Sequence, residues 1–300
     1  MRTNVHVRVP ASSANLGSAF DTAALALTLY NHVTIQRSEG ERVTVRGQGA
    51  NRIGQNDDNL VLRSAKTLFA HVGMPIPPLS ITMRNSIPLG RGLGSSSAAI
   101  VAGLVGANAL LDEALTREEL LSLAVHLEGH GDNVAAALYG GFTVYVAGGG
   151  VPSVPMPSSV TLHSVVFIPD QHVPTSQARA VLPDVVPRAD AIFNVGRAAL
   201  LVSAMSHGRL AALRIAMDDR LHQVYRSQLF PEGLLLRDAA LRAGALGSAV
   251  SGAGPTILAL AESATAAMYI QKAFVSEAKL LSVPGRAMIL DVDTKGVVVR

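Results

Sequence analysis

Pro88-Leu-Gly-Arg-Gly-Leu-Gly-Ser-Ser-Ser-Ala98 is the stretch on which the reading of the fold turns. Glycines stand at 90, 92 and 94, serines at 95 to 97, and a small-residue apolar segment runs on to Leu111. Glycine lets a backbone pass close to a ligand, and the free N–H groups of a helix's first turn favour an anion. A Walker loop is excluded, because it needs a lysine after its last glycine and none occurs between Lys66 and Lys272. The dinucleotide fingerprint is excluded by spacing. Two readings remain at this point: a backbone cradle for phosphate, or a glycine turn with a serine N-cap.

Working outward, Ser95 to Leu111 reads as a buried helix, apolar nearly all round. Upstream, Val5–Val9, Val33–Ser38, Arg42–Arg46 and Leu79–Met83 alternate as half-buried strands, and the short Glu39-Gly-Glu link predicts a hairpin between the second and third. Downstream, Thr116-Arg-Glu-Glu119 is a capping box opening a helix to about Leu127, and Gly140 to Ala147 returns to strand. The Gly/Pro/Ser-rich run Gly148–Ser159 marks a boundary, giving domains 1–152 and 153–300. Beyond it the pattern predicts strand His163–Ile168 and helices near 175–182, 190–206, 208–216 and 232–243. Strands 246–250 and 255–260, helix 263–278 and strand 286–292 complete an α+β chain of two domains.

Composition removes several function classes. The 300 residues are 49% hydrophobic, enough for two real cores, with 4% aromatics and a net charge of only +3. No basic run interleaved with aromatics occurs, so no nucleic-acid partner is expected. The absence of cysteine excludes disulfides and thiolate chemistry. Ala98–Leu111 is too short to span a bilayer and the N-terminus carries no signal-peptide core, so a cytoplasmic protein with no membrane association is expected. An apolar composition at this size is in keeping with a homodimer.

Two further polar stretches stand out. Val9 to Asp21 runs from a strand into a loop bearing Asn15 and Asp21, residues that serve turns as readily as ligands. Glu128-Gly-His-Gly-Asp-Asn133 is a dense cluster on a turn, able to bind a metal or to do acid–base work.

Taken together, "PASSANLGSAFD" at 10–21, "PLGRGLGSSSA" at 88–98, "EGHGDNVAAALYGG" at 128–141 and "SGAGPT" at 251–256 resemble the GHMP small-molecule kinases. "TSQARAVLP" at 175–183 and "LHQVYRSQLFP" at 221–231 extend the likeness to the branch that phosphorylates L-homoserine. The resemblance implies a two-domain GHMP kinase fold, with an N-terminal domain like ribosomal protein S5 domain 2 and a ferredoxin-like C-terminal domain. It implies transfer of phosphate from ATP, with Mg²⁺, to the homoserine hydroxyl on the route to threonine. The ATP phosphates would lie against Pro88, Leu89, Gly90, Arg91, Gly92, Leu93, Gly94, Ser95, Ser96 and Ser97. Ser96 and Glu128 would hold Mg²⁺. Arg179 and Arg226 would bind the substrate carboxylate, while Asn15, Asp21, Asp132 and Asn133 would face its amino group and hydroxyl. His130 would orient this loop or a substrate atom.

No clear general base stands out, since Asn133 replaces the aspartate of other GHMP members. Phosphoryl transfer is largely dissociative, so positioning can carry most of the catalysis. Three positions depart from the family pattern. Ser18-Ala19 replaces a Pro/Val-Gly pair, which would reshape the loop or show that a positive φ is not needed there. Gly131 replaces a proline, loosening the turn, and His126 stands where a carboxylate is common. A kinase for another small alcohol, or an inactive GHMP-fold binding protein, are the alternatives.

Overall fold

The structure is a computed structural model and describes residues 2–148, 153–157 and 160–300. The first half contains β1 (Asn4–Ala14), β2 (Ala23–Arg37), β3 (Arg42–Gly47), α1 (Leu60–His71), β4 (Leu79–Asn85), α2 (Ser95–Leu110), α3 (Arg117–Glu128), α4 (Asp132–Tyr139), β5 (Phe142–Val144) and β6 (Ser153–Val154). The second half contains β7 (His163–Pro169), α5 (Thr175–Ala180), α6 (Arg188–His207), α7 (Leu213–Ala216), α8 (Gln223–Arg226), α9 (Glu232–Arg242), β8 (Gly247–Val250), β9 (Ile257–Ala261), α10 (Ala264–Leu280), β10 (Gly285–Asp291) and β11 (Val298–Val299). A 3-10 turn at Leu210–Ala212 precedes α7, so the expected helix 208–216 is two short pieces. Half of the Gly/Pro/Ser run that marks the boundary lies outside the described residues, and Ser153–Val154 pair with β5.

The first sheet runs β11-β1-β2-β4-β3, with β5 and β6 continuing off β2. The expected hairpin between β2 and β3 does not form. β4 lies between them, antiparallel to β2 and parallel to β3. The register shows why: Val33 and Ile35 align with Met83 and Ile81, which align in turn with Val45 and Val43. Period 2 fixes which side chains face the core but not which strand is the neighbour. β4 supplies the apolar row that completes this face.

Helix α2 lies on that face. Twelve of its residues are buried, Ile100, Val101 and Leu104 among them, and its apolar surround fits a helix covered on most sides. At Gly103 an added Cβ would stand 2.4 Å from the Val61 carbonyl oxygen, so α1 and α2 approach closer than a side chain allows. Truncating Leu104 to alanine here costs about 2–5 kcal/mol.

The second sheet is antiparallel throughout, ordered β10-β7-β9-β8, with α9 and α10 on one face. Phe167, Phe274, Ile257, Leu236 and Ile270 form the core between them. The opposite face turns Val166, Ile168, Leu258 and Leu260 toward the core of the first sheet. At the end of the chain β11 pairs antiparallel with β1, Val7 opposite Val299 and Arg8 opposite Val298. This two-domain α+β architecture is the one the sequence motifs implied. Among the described residues no helix is long and apolar enough to cross a membrane.

Candidate active site

Between the sheets lies a cavity of about 420 Å³. One wall is the glycine loop. Gly90, Gly92 and Gly94 all have positive φ, and Gly94 (φ 67°) is the N-cap of α2 without any side-chain hydrogen bond. The serine-cap alternative is thereby removed. The N–H groups of Ser95 to Ser97 open the helix with no carbonyl behind them, the arrangement that holds an anion. A Cβ on Gly94 would lie 2.3 Å from Ser12 Oγ, so this backbone is pressed against β1.

The loop is also tied to the second sheet. Arg91 spends its guanidinium on carbonyl oxygens, donating from Nε to Pro169 at 2.8 Å and from Nη1 to Leu89 at 2.8 Å. Its Nη2 donates to the Asp170 oxygen at 2.5 Å. Ser251 Oγ stands 2.6 Å from the Gly92 oxygen.

A second wall is the Glu128–Asn133 segment. The sequence places it on a turn, whereas in the structure its latter part is the first turn of α4. Glu128 Oε1 accepts from Ser96 Oγ at 2.5 Å and from Ser97 Oγ at 2.6 Å. Asp132 Oδ1 lies 2.7 Å from His130 Nδ1 and accepts the Asn133 N–H at 2.7 Å. Burial pulls the His130 pKa down, but the hydrogen bond and charge of Asp132 and the charge of Glu128 outweigh it and leave it raised. Asn133 Oδ1 accepts from Ser12 Oγ at 2.8 Å, so the group Asn133 has to offer a ligand is its amide nitrogen.

The third wall carries paired charges. Arg179, on α5, donates to both oxygens of Asp21, at 2.8 and 2.9 Å. Arg226, on the one-turn helix α8, is only 5% exposed, and burial above all lowers its pKa to about 10. The Phe20 ring lies beside both guanidiniums, 5.9 Å from that of Arg179 and 5.1 Å from that of Arg226. Asn15 spends its amide on the backbone, donating to the Gly252 oxygen at 2.8 Å and accepting the Asp21 N–H at 2.9 Å.

The cavity thus gathers Asn15, Asp21, Leu89 to Ser96, Glu128, His130, Asp132, Asn133, Arg179 and Arg226. Pro88 and Ser97 stand behind the lining, Ser97 bonded to Glu128. Sequence reasoning missed the far end, where Ile53, Leu60 and Met83 join Leu89 in an apolar slot beside Asn85. Asn85 Oδ1 is buried there with no hydrogen-bond partner. Nothing local in the sequence marks it. Asn59, likewise missed, had a signal that could have found it, being an N-cap whose side chain accepts from the N–H groups of Val61 and Leu62 ahead of an apolar helix period.

The departures from the family pattern also find their places. Ala19 is not among the positive-φ residues, whereas Asn15, Leu16, Gly17 and Asp21 are, so the turn is made elsewhere and Ala19 carries no strain. Ser18 Oγ donates to the Ala216 oxygen at 2.7 Å. At Gly131 an added Cβ would meet the Tyr145 ring at 2.3 Å, so that ring fills the space of a larger residue. His126 is exposed and shares a surface hollow with His71, Glu118 and Glu119, apart from Glu128.

A helix N-terminus thus faces a carboxylate, a histidine and two arginines across one cavity, an arrangement in keeping with the two-domain small-molecule kinases that the motifs resemble. The GHMP kinases N-terminal domain model matches residues 59–141, and the GHMP kinases C-terminal model matches residues 201–278. A homoserine kinase of Desulfitobacterium hafniense is 41% identical over 98% of this chain and 99% of that protein. A homoserine kinase of Streptomyces avermitilis is 45% identical over 87% of each chain. The crystal structure of homoserine kinase from Cytophaga hutchinsonii superposes with a TM-score of 0.91 at 30% identity, covering 100% of this chain and 98% of that one. The chain belongs to the GHMP kinase family.

Proposed function

We propose that the protein transfers the γ-phosphoryl group of ATP to the side-chain hydroxyl of L-homoserine, giving O-phospho-L-homoserine for threonine synthesis in the cytoplasm. The observation that carries this reading is that one cavity joins the open N-terminus of α2, suited to phosphate, to Asp21, Arg179 and Arg226, whose charges suit a zwitterion. The high identity to homoserine kinases over nearly the whole chain supports the same reading.

The N–H groups of Gly90 to Ser97 would hold the ATP phosphates. The apolar slot of Ile53, Leu60, Met83 and Leu89 would take the adenine, whose amino group suits the unpartnered Asn85 oxygen. Arginine's planar fork matches the amino acid's carboxylate, and Asp21 matches its ammonium. Ser96 Oγ and Glu128 Oε1 already meet, and hard oxygens of this kind suit Mg²⁺, which takes few protein ligands and several waters. Mg²⁺ held there would neutralise charge on the phosphates.

The homoserine oxygen attacks the γ-phosphorus as the bond to ADP breaks, and the hydroxyl proton leaves late, to a phosphate oxygen. Asn133, with its oxygen held by Ser12, donates from its amide to orient the hydroxyl rather than removing its proton. Asp132 and His130 fix this helix start through their hydrogen bond.

A coupled ADP-release assay with Mg-ATP and homoserine, threonine, serine or mevalonate tests the reading. Homoserine-dependent release is expected. Turnover only on another alcohol moves the substrate, and tight ATP binding without turnover makes this a GHMP-fold binding protein. Asn133→Ala is expected to lower kcat about 10²-fold or more. Near-normal turnover in Asn133→Ala, with loss in Asp132→Ala at unchanged homoserine affinity, overturns the assignment.

A homodimer forms part of the same proposal. Helix α6 holds Ile192 and Val195 outward at 68% and 70% exposure, an apolar stripe suited to a second copy. Light scattering of Ile192→Glu beside the parent protein tests it, and a parent monomer refutes it.

A further inference from the structure

His222 lies behind the acceptor site, fully buried and outside every role assigned above. Its Nε2 is 2.8 Å from the Gly17 carbonyl oxygen, which can only accept, so Nε2 carries the hydrogen. Its Nδ1 is 3.2 Å from Arg226 Nη1, which can only donate, so Nδ1 is bare. The two contacts fix one neutral tautomer. Burial, which lowers the ring's pKa to about 4 against the pull of Asp219, keeps it so near neutral pH.

The consequence falls on Arg226. Nε donates to the Ala178 oxygen at 3.2 Å and Nη1 to the Gly252 oxygen at 2.9 Å as well as to His222. None of these bonds uses Nη2. A guanidinium is planar, so fixing Nε and Nη1 also fixes the direction of the two Nη2 hydrogens.

The ring is itself anchored. Phe20 stacks on it with centroids 5.1 Å apart and planes at 23°. Asp219 accepts from the N–H groups of His222 at 3.0 Å and Gln223 at 2.7 Å, capping the single turn that carries Arg226. Asn194 joins Asp219, at 2.7 Å, to the Ser18 oxygen, at 3.1 Å.

We propose that His222 is a positioning residue for the acceptor's carboxylate: its neutral ring, hydrogen-bonded to Gly17 and accepting from Arg226, aims Arg226 Nη2 into the cavity and couples that aim to the Asn15–Asp21 loop. The inference rests on the reading of Arg226 as the carboxylate ligand. It assigns a role in binding and none in the transfer step.

Three variants separate the two ring contacts. An asparagine oxygen falls near the place of Nδ1, so His222→Asn keeps an acceptor for Arg226. His222→Gln keeps a donor near Nε2 and loses that acceptor, and His222→Phe loses both while keeping the stack on Phe20. Expected are an acceptor KM raised about 10- to 100-fold in the Gln and Phe variants and less than about fivefold in the Asn variant. In all three, KM for ATP and kcat stay within about threefold. Imidazole ¹⁵N NMR of the unaltered protein, at pH 7 and free of substrate, is expected to show the neutral Nε2–H tautomer.

An Nδ1–H or charged ring, or an unchanged acceptor KM in His222→Phe, overturns the proposal. A fall in kcat with KM unmoved does so too. The NMR result stands even if a variant fails to fold. If the protein prefers another carboxylate-bearing alcohol, the same KM ratios are read with it. If no alcohol is turned over, the proposed function fails and the tautomer result still decides the state of the ring.

Discussion

Two histidines at the site respond to pH with opposite sign. The His222 pKa is lowered to about 4 by burial first and by Arg226, from an ordinary value of 6.5. Between those two values the unfolded chain binds a proton that the folded chain refuses, so stability falls as pH drops from about 6.5 to about 4. The His130 pKa is raised, so its contribution is complete below 6.5 and is lost as pH rises through its folded value. Urea midpoints measured from pH 7 to pH 4.5 are expected to decline, and His222→Phe to flatten that decline. A slope unchanged in His222→Phe places the acid sensitivity elsewhere. Asp132→Asn removes the hydrogen-bonded charge that raises His130, leaving burial to act, and NMR titration is expected to find the His130 pKa lower than in the parent.

At the level of elements, Gly131 shows how a small residue can tighten a turn. Its φ of −103° suits any residue, so the constraint is not the backbone but the Tyr145 ring in the place of a Cβ. Gly131→Ala is therefore expected to destabilise by about 1–3 kcal/mol through overpacking. Tyr145→Ala should remove most of that penalty, a non-additivity visible in thermal melts of the four-member cycle. Additive losses refute the packing account. Elements with a strong local signal were legible in this way: the Thr116–Glu119 capping box is formed with both of its bonds, and α2 begins at Ser95 as its composition implied. The Asp132–Asn133 helix start was hidden because glycines on both sides of His130 read as turn, while burial by α2 and β1 holds α4 in place. Likewise α8 has four residues, too few for a period, and exists because Asp219 caps it.

For the whole molecule, the legible part was what one strand or helix announces by itself, with α1 as the exception: its Asn59 cap and apolar period are local signals, yet no helix is expected there. The neighbours of β3 and β11 could not be read, because pairing depends on which apolar rows meet across long separations. Val298–Val299 is two residues long, yet it covers one edge of the first sheet, and the His6 and Arg300 backbones exchange bonds of 3.0 and 2.8 Å. Deleting Val298–Arg300 uncovers β1 as an edge and is expected to lower the melting temperature and promote aggregation. Unchanged melting and solubility disprove that role. The candidate site was legible as motifs because each is compact in sequence. Its apolar end was not, since Ile53, Leu60, Met83 and Asn85 converge only after β4 has slotted in beside β2.

The Asp21–Arg179 pair is an internal match for the two charges of the proposed acceptor. A carboxylate and a guanidinium, each about a third exposed, neutralise one another where an ammonium and a carboxylate would enter. A zwitterion can trade this single pair for two matched ones. An amino alcohol or a hydroxy acid brings only half of the exchange and leaves one of the two protein charges without its partner. If Asp21 and Arg179 bind the acceptor as proposed, this ion pair opens for a zwitterion and discriminates against singly charged alcohols.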